Sequence, residues 1–171
     1  QRPQLQTWAI SATIGNLEQA ARHALGTEGD PIIVGGAPAR STDIDSILPE
    51  SIDGFPWAGH LGLRMYEELV ARLNPGVSTL LFTNTRNQSE RWHQCLRFAC
   101  PEMEDALALH HSAIDRSERE AIEAAVKAGG IRWVVCTSSL DLGVDFQPVE
   151  QVVQIGSPKN LARLLQRAGR S

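Results

Sequence analysis

Apolar residues in the second half of the chain fall into short continuous runs separated by stretches of helical period. Ser78-Thr79-Leu80-Leu81-Phe82, Asp105 to Leu109, Ile131 to Cys136 and Gln151 to Ile155 are the runs. Continuous rather than alternating apolar character predicts strands covered on both faces. Leu61, Met65, Leu69 and Leu73 recur at fourfold spacing and predict a helix over 61–73, ended by Asn74-Pro75-Gly76. Further helices are predicted over Asn87–Ala99, Asp115–Lys127 and Asn160–Ala168. Asp115 stands as N-cap of the second of these with Glu118 in capping-box register, and Gly129-Gly130 ends it. Strand alternating with helix implies a mainly parallel sheet between helical layers.

The first half is patterned differently. Thr7 to Ala12 and Pro31 to Gly35 read as buried strands around a helix over Leu17–Leu25, with Asn16 as N-cap and Gly26 as stop. This βαβ unit is too small to hold itself together. Ala37 to Gly62 carries Pro38, Pro49 and Pro56 among acids and reads as an extended linker, with Thr42 to Leu48 as a possible edge strand. Phe55-Pro56-Trp57 reads as a packing anchor for that linker, in preference to a binding role for Trp57 or His60.

Composition narrows the function. The 171 residues suit about one domain with an aliphatic core, at 42% apolar but only 5% aromatic residues. A formal charge of −4 excludes a generally basic nucleic-acid coat, so any grip on phosphates must come from a local stripe. No run approaches the roughly 18 apolar residues of a membrane span, and Gln1 to Gln6 lack a signal core. Cys95, Cys100 and Cys136 are odd in number and read as reduced thiols of a cytoplasmic protein. With His93 the first two fit no common zinc spacing, so no metal site is expected.

In parallel sheets, ligands sit beyond the C-terminal strand ends. The polar clusters fall there: Thr83-Asn84-Thr85-Arg86, His110-His111-Ser112 and Thr137-Ser138-Ser139. Their hydroxyls and amides suit phosphate oxygens, which makes Thr83, Asn84, Arg86, His111, Ser112, Thr137 and Ser138 candidates for a single-strand track. Each could singly be a helix cap; three neighbouring strand ends together favour a shared surface. Gln166, Arg167 and Arg170 lie within one helical turn and a half, with Arg163 and Lys159 extending the stripe. A planar guanidinium suits a transferring phosphoryl group, although a solvated basic helix has the same composition. No Gly-x-x-x-x-Gly-Lys-Ser/Thr loop occurs, so the chain is not a self-sufficient P-loop ATPase.

In that order the residues resemble part of a superfamily 2 helicase of the large-helicase-related (Lhr) group, in particular its ligase-associated DEXH-box branch. Ser11-Ala12-Thr13 resembles motif III, Leu80 to Arg86 motif IV, and His110-His111-Ser112 the family's His-His turn. Cys136 to Asp145 resembles motif V and Gln166-Arg167-Ala168-Gly169-Arg170 motif VI, while Phe55 to His60 and Gly156-Ser157-Pro158-Lys159 are similar to the Lhr branch specifically. The resemblance covers nearly the whole chain. It implies a RecA-like three-layer α/β fold, with residues 1–36 the remnant of a first RecA-like domain, 37–60 a linker and 61–171 a second RecA-like domain ending within motif VI. It implies that Arg170 is an arginine finger supported by Arg167 and Gln166. Gly143 and Asp145 would face the nucleotide, and Ser11, Ala12 and Thr13 would couple ATP to strand movement.

The same likeness implies ATP and Mg2+, bound mainly by the first domain, and single-stranded DNA as partner, with RNA or a hybrid also open. It implies travel 3′ to 5′, a role in DNA repair, functional association with a DNA ligase, and a bacterial cytoplasmic setting. The departure is truncation: the P-loop and DEXH motifs are absent, so the chain alone is expected to be inactive, and its first 36 residues either dock on the second domain or expose apolar surface. Two other readings stand beside the helicase one. One is a RecA-like nucleic-acid-binding module without catalysis of its own, the other an unrelated doubly wound phosphate-binding enzyme.

Overall fold

The computed structural model describes residues 7–11, 14–26, 31–35, 42–48, 63–141 and 149–169. Its centre is a four-stranded sheet of β1 (Thr79–Phe82), β2 (Leu107–His110), β3 (Trp133–Cys136) and β4 (Gln151–Gln154). The order across the sheet is β2-β3-β1-β4 and every pairing is parallel. All four runs expected from the sequence are therefore strands: three are trimmed by one or two residues, and the Asp105–Leu109 run is shifted to Leu107–His110. Every residue of β1 and β3 is buried.

The side-chain alternation of the strands divides the core in two. Leu81, Val135 and Leu107 face one side and pack on Leu69, Leu73, Trp92 and Leu96. Leu80, Phe82, Val134 and Cys136 face the other, against Val126 and Leu140 with Ile122 alongside. The first side is covered by α2 (Tyr66–Val70) and α3 (Arg86–Ala99), the second by α4 (Arg116–Lys127), which makes the three layers. The helix α5 (Leu161–Ala168) joins the second side, where Arg167 lies over the Phe82 ring at 4.4 Å from its centroid.

Local chemistry sets the helix ends. Thr85 caps α3 by accepting from the Gln88 N–H at 3.2 Å, and Asn160 caps α5 by accepting from the Arg163 N–H at 2.8 Å. Asp115 occupies the N-cap position of α4, but its side chain makes no capping hydrogen bond, contrary to the sequence expectation. The first turn is tied down instead by Arg119, whose Nε donates to the Ile114 carbonyl at 3.2 Å. The helix expected over 61–73 is shorter: a 3-10 turn over Leu63–Met65 runs into α2, which stops at Val70. Leu69 and Leu73 still reach the core, as their spacing required; Leu61 lies outside the described residues.

The first half departs most. The helix α1 (Leu17–Leu25) forms as expected, with Asn16 Oδ1 accepting from the Gln19 N–H at 3.0 Å and Gly26 at φ 79° closing it. The flanking runs are not strands where described, at 7–11 and 31–35. Trp8, Ile10, Ile32 and Val34 are 82–94% exposed. A continuous apolar run becomes a strand only when neighbours satisfy its backbone and cover both faces, and among the described residues these four side chains are left uncovered. Thr42 to Leu48 is not a strand either; Ile47 packs against the α2–α3 core and Asp45 approaches Arg72 at 4.0 Å. Of the two outcomes expected for residues 1–36, exposed apolar surface is the one described.

Candidate nucleic-acid and nucleotide interface

The sheet order places the four C-terminal strand ends along one edge. Thr83 to Arg86 follow β1, His111 and Ser112 follow β2, Thr137 and Ser138 follow β3, and Ile155 to Ser157 follow β4. The ends are knitted together by the continuing ladder: Thr83 N–H donates to the Cys136 carbonyl at 2.8 Å, Ile155 N–H to Phe82 at 2.8 Å and Thr137 N–H to His110 at 3.2 Å. Asn84 Nδ2 adds a bond to the Ser157 carbonyl at 2.9 Å, and its own N–H is held by Gln88 Oε1 at 3.0 Å. Gly156 turns there at φ 76°, and a β-carbon on it would sit 3.4 Å from Asn84 Nδ2. The Asn84–Ser157 tie and the glycine turn thus fix the β1–β4 part of the edge.

The sequence candidates separate into exposed and committed groups. Asn84, Arg86, Ser112 and Ser138 are exposed along the edge. Thr83 is fully buried, and its hydroxyl is placed to donate to the Cys136 carbonyl at 3.1 Å or the Thr85 carbonyl at 3.2 Å. Thr137 is buried too, directly before a 3-10 turn over Ser138–Leu140. His111 is 5% exposed, with Nδ1 accepting from the Ala113 N–H at 3.3 Å. That bond puts the proton of a neutral ring on Nε2, which faces Glu90 Oε1 at 3.4 Å. Ser11 is exposed; Ala12, Thr13, Gly143, Asp145 and Arg170 lie outside the described residues.

Arg167, read as a phosphate contact, is only 1% exposed. Its Nε donates to Asp141 Oδ1 at 2.7 Å and its Nη2 to Asp141 Oδ2 at 3.3 Å, while Nη1 donates to Gln154 Oε1. A guanidinium so occupied locks α5 to the segment after β3 and to β4. Asp141 is also approached by Arg163 Nε at 3.3 Å. Gln166 lies half-buried on the same helix. The described part of the chain thus offers a rigid mount for α5 and no free cation on Arg167.

Consecutive residues of a strand point to opposite faces, and the His-His turn uses this. His110 faces α4, with Nε2 at 3.1 Å from Glu123 Oε1 and Nδ1 at 2.8 Å from Ser139 Oγ. Burial outweighs the Glu123 carboxylate and lowers the His110 pKa, with Arg119 and His111 pushing the same way. A neutral ring with the proton on Nε2 donates to Glu123, and the single Ser139 hydroxyl hydrogen is placed to reach either Nδ1 or the His110 carbonyl at 3.1 Å. Sequence reasoning missed Asp141, Glu90, Glu123 and Ser139. Ser139 and Asp141 stand in the stretch after β3 that the sequence marks without a role for either, and Glu90 and Glu123 lie on α3 and α4. Among the described residues, no group of three or more His, Cys, Asp or Glu side chains could hold a metal ion, and no helix is long and apolar enough to cross a membrane.

The family described as helicase conserved C-terminal domain matches residues 63–171, the span that holds the whole sheet. The chain belongs to that family. Its relatives are helicases of the Lhr type: it is 34% identical over 166 residues to the ATP-dependent helicase Lhr-Core of Sulfolobus acidocaldarius, covering 95% of this chain and 19% of the relative. It is 44% identical over 62 residues to the Lhr helicase/uracil glycosylase of Escherichia coli, covering 36% of this chain and 4% of that one. Among solved structures it is similar to Mycobacterium smegmatis helicase Lhr bound to ssDNA and AMP-PNP. That likeness has a TM-score of 0.69 and 28% identity, over 94% of this chain and 21% of the other. The chain thus spans about a fifth of the length of the Lhr-Core relative and is a helicase C-terminal domain of the Lhr-like superfamily 2 kind, with a RecA-like α/β fold. These relatives come from archaea as well as bacteria.

Proposed function

We propose that this chain is the second motor domain of an ATP-dependent Lhr-like DNA helicase, with residues 61–171 forming that domain, 37–60 a linker and 1–36 the end of the first RecA-like domain. The observation that carries the reading is the single edge where Asn84, Arg86, Ser112 and Ser138 stand exposed above four parallel strands. Hydroxyl, amide and guanidinium groups in a row suit successive phosphates of one strand and demand no particular base. Buried Thr83, Thr137 and His111 support the edge from beneath and contact the strand, if at all, through what they position.

ATP with Mg2+ binds mainly to a P-loop-bearing first domain, and this chain adds Arg170 as the arginine finger, with Gln166 beside it and Gly143 and Asp145 facing the nucleotide. Arg167, three positions before Arg170 in the sequence, supports it by anchoring α5 on Asp141. Ser11, Ala12 and Thr13 couple the two ligands. The bound nucleotide supplies the free energy for stepping; travel 3′ to 5′, a repair role in the cytoplasm and a functional link to a DNA ligase follow the family resemblance. Without a first domain the chain hydrolyses no ATP.

The test joins this chain to a P-loop-bearing first domain and measures ATP hydrolysis with and without single-stranded DNA, for Arg170 and Arg170→Ala. A strand-stimulated rate that falls by about 10³–10⁵ in the variant is expected of an arginine finger. An unchanged rate removes Arg170 from the chemistry and leaves a nucleic-acid-binding module without catalysis.

A further inference from the structure

Arg86 of the strand track and the buried His111 beneath it share one partner that the sequence did not single out. Glu90, one turn along α3 from Arg86, places Oε1 at 3.4 Å from Arg86 Nε and at 3.4 Å from His111 Nε2. Its own side chain is 42% exposed and that of Arg86 is 62% exposed, so solvent and a ligand reach both. His111 presents Nε2–H because Nδ1 is taken by the Ala113 N–H at 3.3 Å. One carboxylate oxygen thus sits where donors from two strand ends converge, the place a phosphate oxygen would take. Thr85 N-caps α3 beside it, so the helix N-terminus adds its partial positive charge to the same spot.

We propose that Glu90 is an internal stand-in for phosphate: it holds Arg86 against the buried His111 while the track is empty and competes with the strand for Arg86. This rests on the strand-track reading above. A carboxylate and a phosphate oxygen accept from the same donors, and both are negative, so the strand must displace Glu90 from Arg86 or bind beside a like charge. Glu90 therefore lowers affinity for single strands instead of raising it. The grip it leaves is more readily released, as a domain that must pass along successive phosphates requires. Arg86 and Glu90 are four positions apart on one helix, so the exchange needs a side-chain rotation and no backbone movement.

The experiment measures binding of a fluorescent oligo-dT to the full chain by anisotropy over a salt series. It compares the parent chain with Glu90→Gln, Glu90→Ala, Arg86→Ala and Arg86→Ala/Glu90→Gln. Freeing one cation for one further phosphate steepens the slope of log affinity on log salt by about 0.7 and tightens binding about fivefold at 0.1 M salt. Both Glu90 variants are expected to bind tighter by that order, and most of the gain should vanish when Arg86 is also removed. If Arg86→Ala weakens binding while the Glu90 variants weaken it too, or leave it unchanged, Glu90 merely orients its partners and the proposal is overturned with the track intact. A gain that survives the loss of Arg86 overturns it as well. If the parent chain and Arg86→Ala bind alike, or neither binds, the track reading itself fails at Arg86. Thermal melts of all variants confirm that each is compared in the folded state.

Discussion

Asp141→Ala should be among the most damaging single changes outside the apolar core. Arg167 is 1% exposed, and Asp141 supplies two of its three side-chain hydrogen bonds. Removing the carboxylate leaves a buried guanidinium facing only the Gln154 amide oxygen and the Phe82 ring. Breaking a buried pair by deleting one partner costs about 3–5 kcal/mol, because the remaining charge stays desolvated. At about 2–4 °C per kcal/mol for a chain of this size, the melting temperature should fall by roughly 6–20 °C. Arg167→Met is the informative companion. It removes the buried cation, fills the space with an apolar side chain, and leaves Asp141 its contact with Arg163 at 3.3 Å. It should cost less than half as much, and the double variant should be more stable than Asp141→Ala alone. Urea denaturation followed by circular dichroism measures all three. A loss below about 1 kcal/mol for Asp141→Ala, or no recovery in the double variant, would refute the claim that Asp141 neutralises a buried charge.

Two other outcomes follow from the same edge. Thr83→Val keeps the shape but removes a hydroxyl donor from between two carbonyls, and Cys136 retains its bond from the Thr83 N–H. Stability should drop by about 1–2 kcal/mol in urea, while oligo-dT affinity of the folded protein stays within twofold; a selective loss of affinity would make the hydroxyl a direct contact. Stability should also depend on pH through His110, whose pKa burial lowers from the usual 6.5. The unfolded chain binds this proton more readily than the folded one, so the contribution is complete above about 6.5 and is lost as pH falls towards the folded value. His93, lowered by burial and by Arg97, acts in the same direction. His110→Gln should flatten the fall that sets in below about pH 6.5 in a series of melts, and an unaltered slope would mean that other groups carry it.

The strands and the edge they create were legible because continuous apolar runs leave little choice. Leu80-Leu81-Phe82 and Val134-Val135-Cys136 can be buried on both faces in only one kind of sheet, and polar residues at their ends mark where it stops. The same rule misled at Trp8 to Ile10 and Ile32 to Val34, because an apolar run states a demand for neighbours and cannot supply them. Motif spacing showed that Gln166 and Arg167 sit on one helix. It could not show that a carboxylate 26 positions earlier closes on Arg167 and turns a phosphate-like donor into an internal tie. Glu90 escaped for a related reason. Its pairing with Arg86 follows helical spacing, whereas its approach to His111 exists only once β2 and α3 are brought together.

The strand order has a consequence for how this protein is made. β1 does not pair with β2, the next strand in the chain: its Thr79 meets Trp133 of β3 and Gln151 of β4. During synthesis the most apolar strand therefore leaves the ribosome some 54 residues before its first partner. At about 5–20 residues per second that is roughly 3–11 s, in which Leu80, Leu81 and Phe82 have helices α2, α3 and lastly α4 for cover but no strand partner. Nascent chains held at that point should be the ones that bind trigger-factor-like chaperones most strongly, and release should coincide with the emergence of β3.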